Sequence, residues 1–148
     1  MIKLSIEEYY NDIEKFVEGL KNHFYFGKCA GVHGKPRGGL FLAQVVSHKL
    51  DLPYLHNPPF LSYWEDKNWL LVVDDVCESG STFSILSEQY RPYQIRFGCL
   101  YRRHSSKFNP DYVQRVLETD DWIVFPYEKE VINETQEIKE HYNKDYIR

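Results

Sequence analysis

The first apolar residues of the chain repeat at helical spacing. Ile6, Tyr9, Ile13, Phe16, Val17 and Leu20 fall on one stripe with charged residues between them, the pattern of an amphipathic helix packed on a core. Ser5 and Glu8 form a capping-box pattern at its start. Cys29 to His33 is a compact apolar run that reads as a strand, and Leu40 to Leu50 returns to helical periodicity. Tyr54-Leu55, after Pro53, is a short extended piece. Leu70 to Val73 is continuously apolar, as expected of a strand buried on both faces in the centre of a parallel sheet. Phe83 to Leu86 begins another helix, Ile95 to Tyr101 reads as a second inner strand, and Trp122 to Phe125 as a short final one. This alternation predicts an α/β fold with a mainly parallel central sheet flanked by helices. From Glu130 to Arg148 the chain is charged and weakly helical, with Ile138 and Tyr142 on one side, which suits a surface or subunit-packing helix. No repeat, low-complexity segment or linker divides the sequence, so residues 1–148 are expected to form a single domain.

Two strand-to-helix junctions carry the candidate chemistry. In the first, the apolar run ends in Asp74-Asp75, then Val76-Cys77-Glu78-Ser79-Gly80-Ser81-Thr82. Two carboxylates at a strand's carboxyl end do not belong in a core, and the expectation is that they emerge into the crevice where open α/β sheets bind ligands. Gly80 permits unusual backbone angles, the turn and helix start offer N–H groups to an anion, and Ser79, Ser81 and Thr82 add hydroxyls. Carboxylates suit vicinal hydroxyls or a metal, and the loop suits a phosphate. Together they describe a sugar-phosphate site. The turn lacks the Gly-x-x-x-x-Gly-Lys-Ser/Thr of a P-loop. The second junction is Gly34-Lys35-Pro36-Arg37-Gly38-Gly39-Leu40. Its adjacent glycines allow backbone to approach an anion closely, while Lys35, Arg37 and the helix dipole add positive charge. Two such loops on one sheet edge fit two phosphate groups.

The first motif resembles the phosphoribosyl-diphosphate motif of the type I phosphoribosyltransferases: an apolar strand, two acids, two apolar residues, a third acid and a Thr/Ser-Gly-x-Thr loop. The resemblance implies that family's fold, with a short hood or lid. It implies that Asp74 and Asp75 contact the ribose hydroxyls and Mg2+, and that Glu78, Ser79, Gly80, Ser81 and Thr82 hold the 5′-phosphate. Lys35, Pro36, Arg37, Gly38 and Gly39 would bind the diphosphate leaving group. The segment Trp122-Ile123-Val124-Phe125-Pro126-Tyr127-Glu128 is similar to the purine pocket of bacterial xanthine–guanine phosphoribosyltransferases. By that likeness Trp122 stacks on the base and the backbone of Ile123 reads its edge. Arg103 falls where the family commonly has a Lys that reads the oxygen of a 6-oxopurine. The implied activity is transfer of 5-phosphoribosyl from phosphoribosyl diphosphate to a 6-oxopurine, with Asp74, Asp75 and Glu78 as the catalytic carboxylates. Three departures stand out: Glu78 for the usual Asp, Arg103 for Lys, and a short 56–68 segment in place of a long loop, although Ser62-Tyr63 echoes a pair found in that loop.

Composition narrows the classes. The chain has 18 basic and 22 acidic residues, for a net charge of −4, which gives no broad face for nucleic acid. Cys29, Cys77 and Cys99 are an odd, singly placed set, expected as buried thiols rather than zinc ligands or a disulfide framework. There is no leader pattern and no apolar run of membrane-spanning length, so the expected setting is cytoplasmic and the expected assembly a homodimer or homotetramer. A non-catalytic sensor of nucleotide or phosphoribosyl diphosphate on the same fold is the alternative from another class. An acid-pair magnesium receiver domain is a weaker third, disfavoured by the phosphate-loop chemistry.

Overall fold

Ser5 starts the first helix, α1 (Ile6–His23). Its Oγ accepts the Glu8 N–H at 3.1 Å while its own N–H donates to Glu8 Oε2 at 2.8 Å. This capping box satisfies two of the donors that a helix start leaves open. The computed structural model of the protein describes residues 1–56, 66–91 and 94–128. The expected 130–148 helix and the Ser62-Tyr63 echo lie outside the described residues. Tyr9, Ile13, Phe16, Val17 and Leu20 are buried as the stripe predicts, whereas Ile6 is 70% exposed, because the first residue of the helix projects past the edge of the core.

The remaining elements follow in the order expected, with three additions: a strand before the first helix, a 3-10 turn after it, and a strand at Tyr112–Leu117. A two-residue strand, β1 (Ile2–Lys3), precedes α1. A 3-10 turn at Phe26–Lys28 leads into β2 (Cys29–Gly34), followed by α2 (Gly38–Leu50), β3 (Trp69–Cys77) and α3 (Ser81–Gln89). Then come β4 (Gln94–Arg103), β5 (Tyr112–Leu117) and β6 (Ile123–Val124). Strands β2-β3-β4-β5 form one sheet in that order, all parallel, and β1 pairs β6 in a separate two-stranded parallel ribbon. Tyr54-Leu55 extends the β2 edge: Val32 N–H donates to Pro53 O at 2.9 Å and Leu55 N–H to Val32 O at 2.8 Å.

β3 is buried along its whole length, in keeping with a central parallel strand covered on both faces. On one face Leu71, Val73 and Val76 pack with residues of α1 and α2, and on the other Leu70, Val72 and Cys77 pack with Phe83 and Leu86 of α3. Trp69 closes one end, 1% exposed, with the Phe24 and Phe26 rings 5.5 and 5.3 Å away and the Arg96 guanidinium 4.4 Å over its face. An aromatic side chain buried this fully contributes about 1.5–3 kcal/mol. All three cysteines are buried and unpaired as disulfides. No described helix is long and apolar enough to cross a membrane.

Candidate active site

The acid pair sits inside the last part of β3, since the strand runs on to Cys77 rather than ending at Val73. The carboxylates therefore do not emerge openly into a crevice: Asp74 is 3% exposed and Asp75 is fully buried. A Cβ on Gly38 would stand 2.5 Å from Asp75 Oδ2, so the α2 start lies directly against this carboxylate and only glycine fits. Asp75 Oδ1 accepts the Val76 N–H at 2.7 Å, and Oδ2 accepts the Tyr127 hydroxyl at 2.7 Å. Asp74 Oδ1 accepts the Asp75 N–H at 2.9 Å. Burial, then the neighbouring charge of Asp75, hold the Asp74 carboxyl well above the usual carboxylate range.

After β3 the chain turns through Gly80, which takes the left-handed conformation (φ 89°, ψ 0°) and precedes α3. A Cβ there would come within 2.3 Å of Phe108 Cβ, so glycine is required by the backbone and by the neighbour alike. Ser79 and Ser81 are exposed and Thr82 half-buried; the two serine hydroxyls lie 3.0 Å apart. Gly80 offers no side chain to cap α3, and the Ser81 N–H donates instead to Ser79 Oγ at 3.3 Å, at a helix start whose dipole suits an anion. The turn rests on the 104–109 loop, where Lys107 N–H donates to Ser79 O at 3.2 Å. Arg102 fixes that loop through Phe108 O at 2.9 Å and Ser106 O at 2.7 Å. Beside it the Cys77 thiol sits 3.3 Å from Ser106 Oγ. A hydrogen bond from Cys99 brings Cys77 down to about 7, while burial pushes Cys99 up.

The second loop packs edge-on to the same strand. Lys35 N–H reaches Val73 O at 3.3 Å, Gly39 N–H returns to Lys35 O at 2.9 Å, and the Pro36–Arg37 peptide is cis. A Cβ on Gly39 would lie 2.7 Å from Val73 O. The two glycines thus serve a close approach of loop to strand, in addition to any approach of backbone to ligand. Arg37 is exposed and Lys35 half-buried.

The residues expected at the base are held by neighbouring chain. Arg103 is buried at the end of β4, its side chain only 5% exposed. Its Nε donates to Glu78 Oε2 at 2.8 Å, Nη1 to Thr119 O at 2.8 Å and Nη2 to Asp121 O at 2.6 Å. Arg103 thereby joins the third acid to the segment entering β6. Trp122 is half-buried and Ile123 buried. The Trp122 and Val124 carbonyls accept from Ile2 and Leu4 at 2.7 and 3.1 Å, so the backbone of Ile123 faces the opposite side of β6. Phe125 N–H bonds Glu128 Oε2 at 3.0 Å, which turns the chain and aims Tyr127 at Asp75. Sequence reasoning gave Tyr127 no role. The only signal was an aromatic at the end of the Trp-Ile segment.

The structure therefore brings together the acid pair, the Gly38 backbone and Tyr127 at one point, with Glu78 and Arg103 paired close by in sequence terms. The parallel α/β sheet carries two glycine-containing loops at the carboxyl ends of β2 and β3. No family model matches the chain. It is 28% identical over 120 residues to a xanthine-guanine phosphoribosyltransferase of Cereibacter sphaeroides, covering 69% of this chain and 71% of that one. It is 25% identical over 121 residues to the protein of the same name from Nitratidesulfovibrio vulgaris, covering 71% and 72%. The crystal structure of a purine phosphoribosyltransferase from Pyrococcus horikoshii superposes with a TM-score of 0.72 at 25% identity, covering 91% of this chain and 98% of that one. These likenesses support a type I phosphoribosyltransferase fold and an enzyme of that kind.

Proposed function

We propose that the protein transfers the 5-phosphoribosyl group of phosphoribosyl diphosphate to a 6-oxopurine, releasing diphosphate and a nucleoside monophosphate. The observation that carries this reading is the contact of the acid pair with the α2 start, where the Gly38 backbone lies against Asp75. It sets a ribose-type carboxylate beside an anion-type loop, and the turn at Gly80 follows directly. In this reading Ser79, Ser81, Thr82 and the α3 amides hold the 5′-phosphate, while Lys35, Arg37 and the Gly38-Gly39 backbone receive charge as diphosphate leaves. Asp74 and Asp75 hold the ribose hydroxyls and favour positive charge growing at the anomeric carbon. Glu78, fixed by Arg103, orients the purine imidazole nitrogen and takes its proton. No three His, Cys, Asp or Glu side chains cluster as a metal cage among the described residues. The paired carboxylates nevertheless fit Mg2+, which is commonly held by one or two carboxylates plus substrate oxygens and water. When bound there it would neutralise the diphosphate.

For the acceptor, Trp122 supplies a wide ring for a bicyclic base, alongside the relationship to xanthine-guanine enzymes. Arg carries five N–H donors. The bonds to Glu78, Thr119 and Asp121 use three, which leaves one on each terminal nitrogen for an oxygen at position 6. Adenine would oppose donor to donor, a mismatch of on the order of 1–3 kcal/mol. Incubating the pure protein with phosphoribosyl diphosphate, Mg2+ and guanine, xanthine, hypoxanthine, adenine or orotate tests the proposal. Fastest nucleotide formation is expected with a 6-oxopurine. Faster turnover of adenine or orotate would refute the acceptor assignment, and no turnover of any base would refute the reaction.

A further inference from the structure

Asp75 is closed off in a specific way. It is fully buried, the Gly38 backbone covers it on one side, and both oxygens already accept hydrogen bonds, one from the Val76 amide and one from the Tyr127 hydroxyl. Each oxygen keeps a lone pair, but with no exposed surface on Asp75 a sugar hydroxyl reaches it only if a neighbour moves. The amide belongs to the same strand, and Gly38 is fixed in the first turn of α2, whereas Tyr127 is 49% exposed and held by ring contacts to Phe125 and Tyr9 at 5.4 and 5.8 Å. Tyr127 is the displaceable partner. A second observation shows where its hydroxyl can go. Tyr9, 2% exposed, buries its own hydroxyl with no partner in hydrogen-bond geometry among the described residues, although the Tyr127 hydroxyl already acts on it; closing that contact would relieve the cost of the buried group.

We infer that the Tyr127 hydroxyl stands in for a ribose hydroxyl on Asp75 when the site is empty, and that a phosphoribosyl ligand displaces it toward Tyr9. Resting on the proposed function, this makes Tyr127 a positioning residue that couples sugar binding to the base segment. Tyr127 shares a short turn with β6, which carries Ile123, and Trp122 immediately precedes that strand. Moving its hydroxyl therefore resets the segment that meets the base, and the empty site holds that segment against the acids.

Tyr127→Phe keeps the ring stack and removes only the hydroxyl. Calorimetric titration of the full chain with phosphoribosyl diphosphate and Mg2+, without base, is expected to show tighter binding by on the order of tenfold, the value of a hydrogen bond to a charged group. In turnover, the KM for phosphoribosyl diphosphate should fall, and guanine should gain binding in the absence of the sugar ligand, a release that loss of packing alone would not produce. Tyr9→Phe removes the receiving hydroxyl and should weaken phosphoribosyl diphosphate binding instead, which keeps the inference testable if one variant folds poorly. Unchanged or weaker binding by a folded Tyr127→Phe protein overturns it. Failure of the unaltered protein to bind phosphoribosyl diphosphate overturns the proposed function, and the inference with it.

Discussion

Asp74 shows at the scale of one residue how a site can cost the fold that carries it. Its side chain lies in the core beside a second carboxylate, where its Oδ1 accepts the Asp75 amide. Burial and the Asp75 charge raise its ionisation above the unfolded value. A group raised in this way contributes most to stability below the ordinary carboxylate range, and that contribution is lost as pH rises through the folded value. Above the ordinary carboxylate range the folded protein is therefore less stable than it would be with a group that cannot ionise there. Asp74→Asn keeps an oxygen for the Asp75 amide and removes the ionisation. It is expected to melt higher than the unaltered protein at pH 8, by on the order of 1 kcal/mol or about 2–4 °C for a chain of this size. The gap should close toward pH 4, and phosphoribosyl transfer should be abolished. Thermal melts across that range, paired with an activity assay, check both halves. A less stable variant at pH 8 would show that the carboxylate is well compensated.

The loop from Ser79 to Thr82 with α3 behind it forms one element, and its residues divide into scaffold and the groups proposed to bind phosphate. Gly80 belongs to the scaffold: its left-handed backbone and the nearby Phe108 leave no room for a side chain. Gly80→Ala should therefore lose about 2–4 kcal/mol of stability through strain and overpacking, and it would report on folding rather than on phosphate. Thr82 is half-buried at the start of α3. Thr82→Val is expected to hold the melting temperature nearly constant while weakening nucleoside monophosphate by about tenfold, with free base unaffected. Equal nucleotide affinity in calorimetry would remove Thr82 from the phosphate site. Such an element was legible in advance because its signals are local: four apolar residues, two acids, a glycine among hydroxyls. The same holds for α1, whose stripe and Ser5–Glu8 cap are written within its own length. β1 is too short to carry a period. β5, whose Tyr112, Val113 and Gln114 are half-buried and Arg115 and Val116 exposed, has an edge strand's mixed character. The Tyr127–Asp75 and Arg103–Thr119 contacts join segments far apart in sequence. No periodicity encodes such pairings, so the burial of the acid pair was not foreseen.

Across the whole molecule the groups that meet at the acid pair come from distant stretches of chain, Gly38 on α2, Asp74 and Asp75 on β3, and Tyr127 after β6, while the two apolar clusters share one sheet. Strands β2 to β5 cannot separate without opening both clusters, so we propose that the chain unfolds as one domain in a single transition. A ligand that spans these stretches binds only the folded state and stabilises all of it. At a hundredfold excess over its dissociation constant the gain is about 2.7 kcal/mol, or about 5–10 °C at the slope usual for this size. Phosphoribosyl diphosphate with Mg2+ is expected to move the entire melting curve upward by that amount without splitting it. Guanine alone should produce little shift, because the base segment is held on Asp75 until the sugar arrives. Differential scanning calorimetry with each ligand separately decides the matter. Two resolved transitions would show that the clusters are independent, and a larger shift with guanine than with phosphoribosyl diphosphate would mean that the base pocket is assembled before the sugar binds.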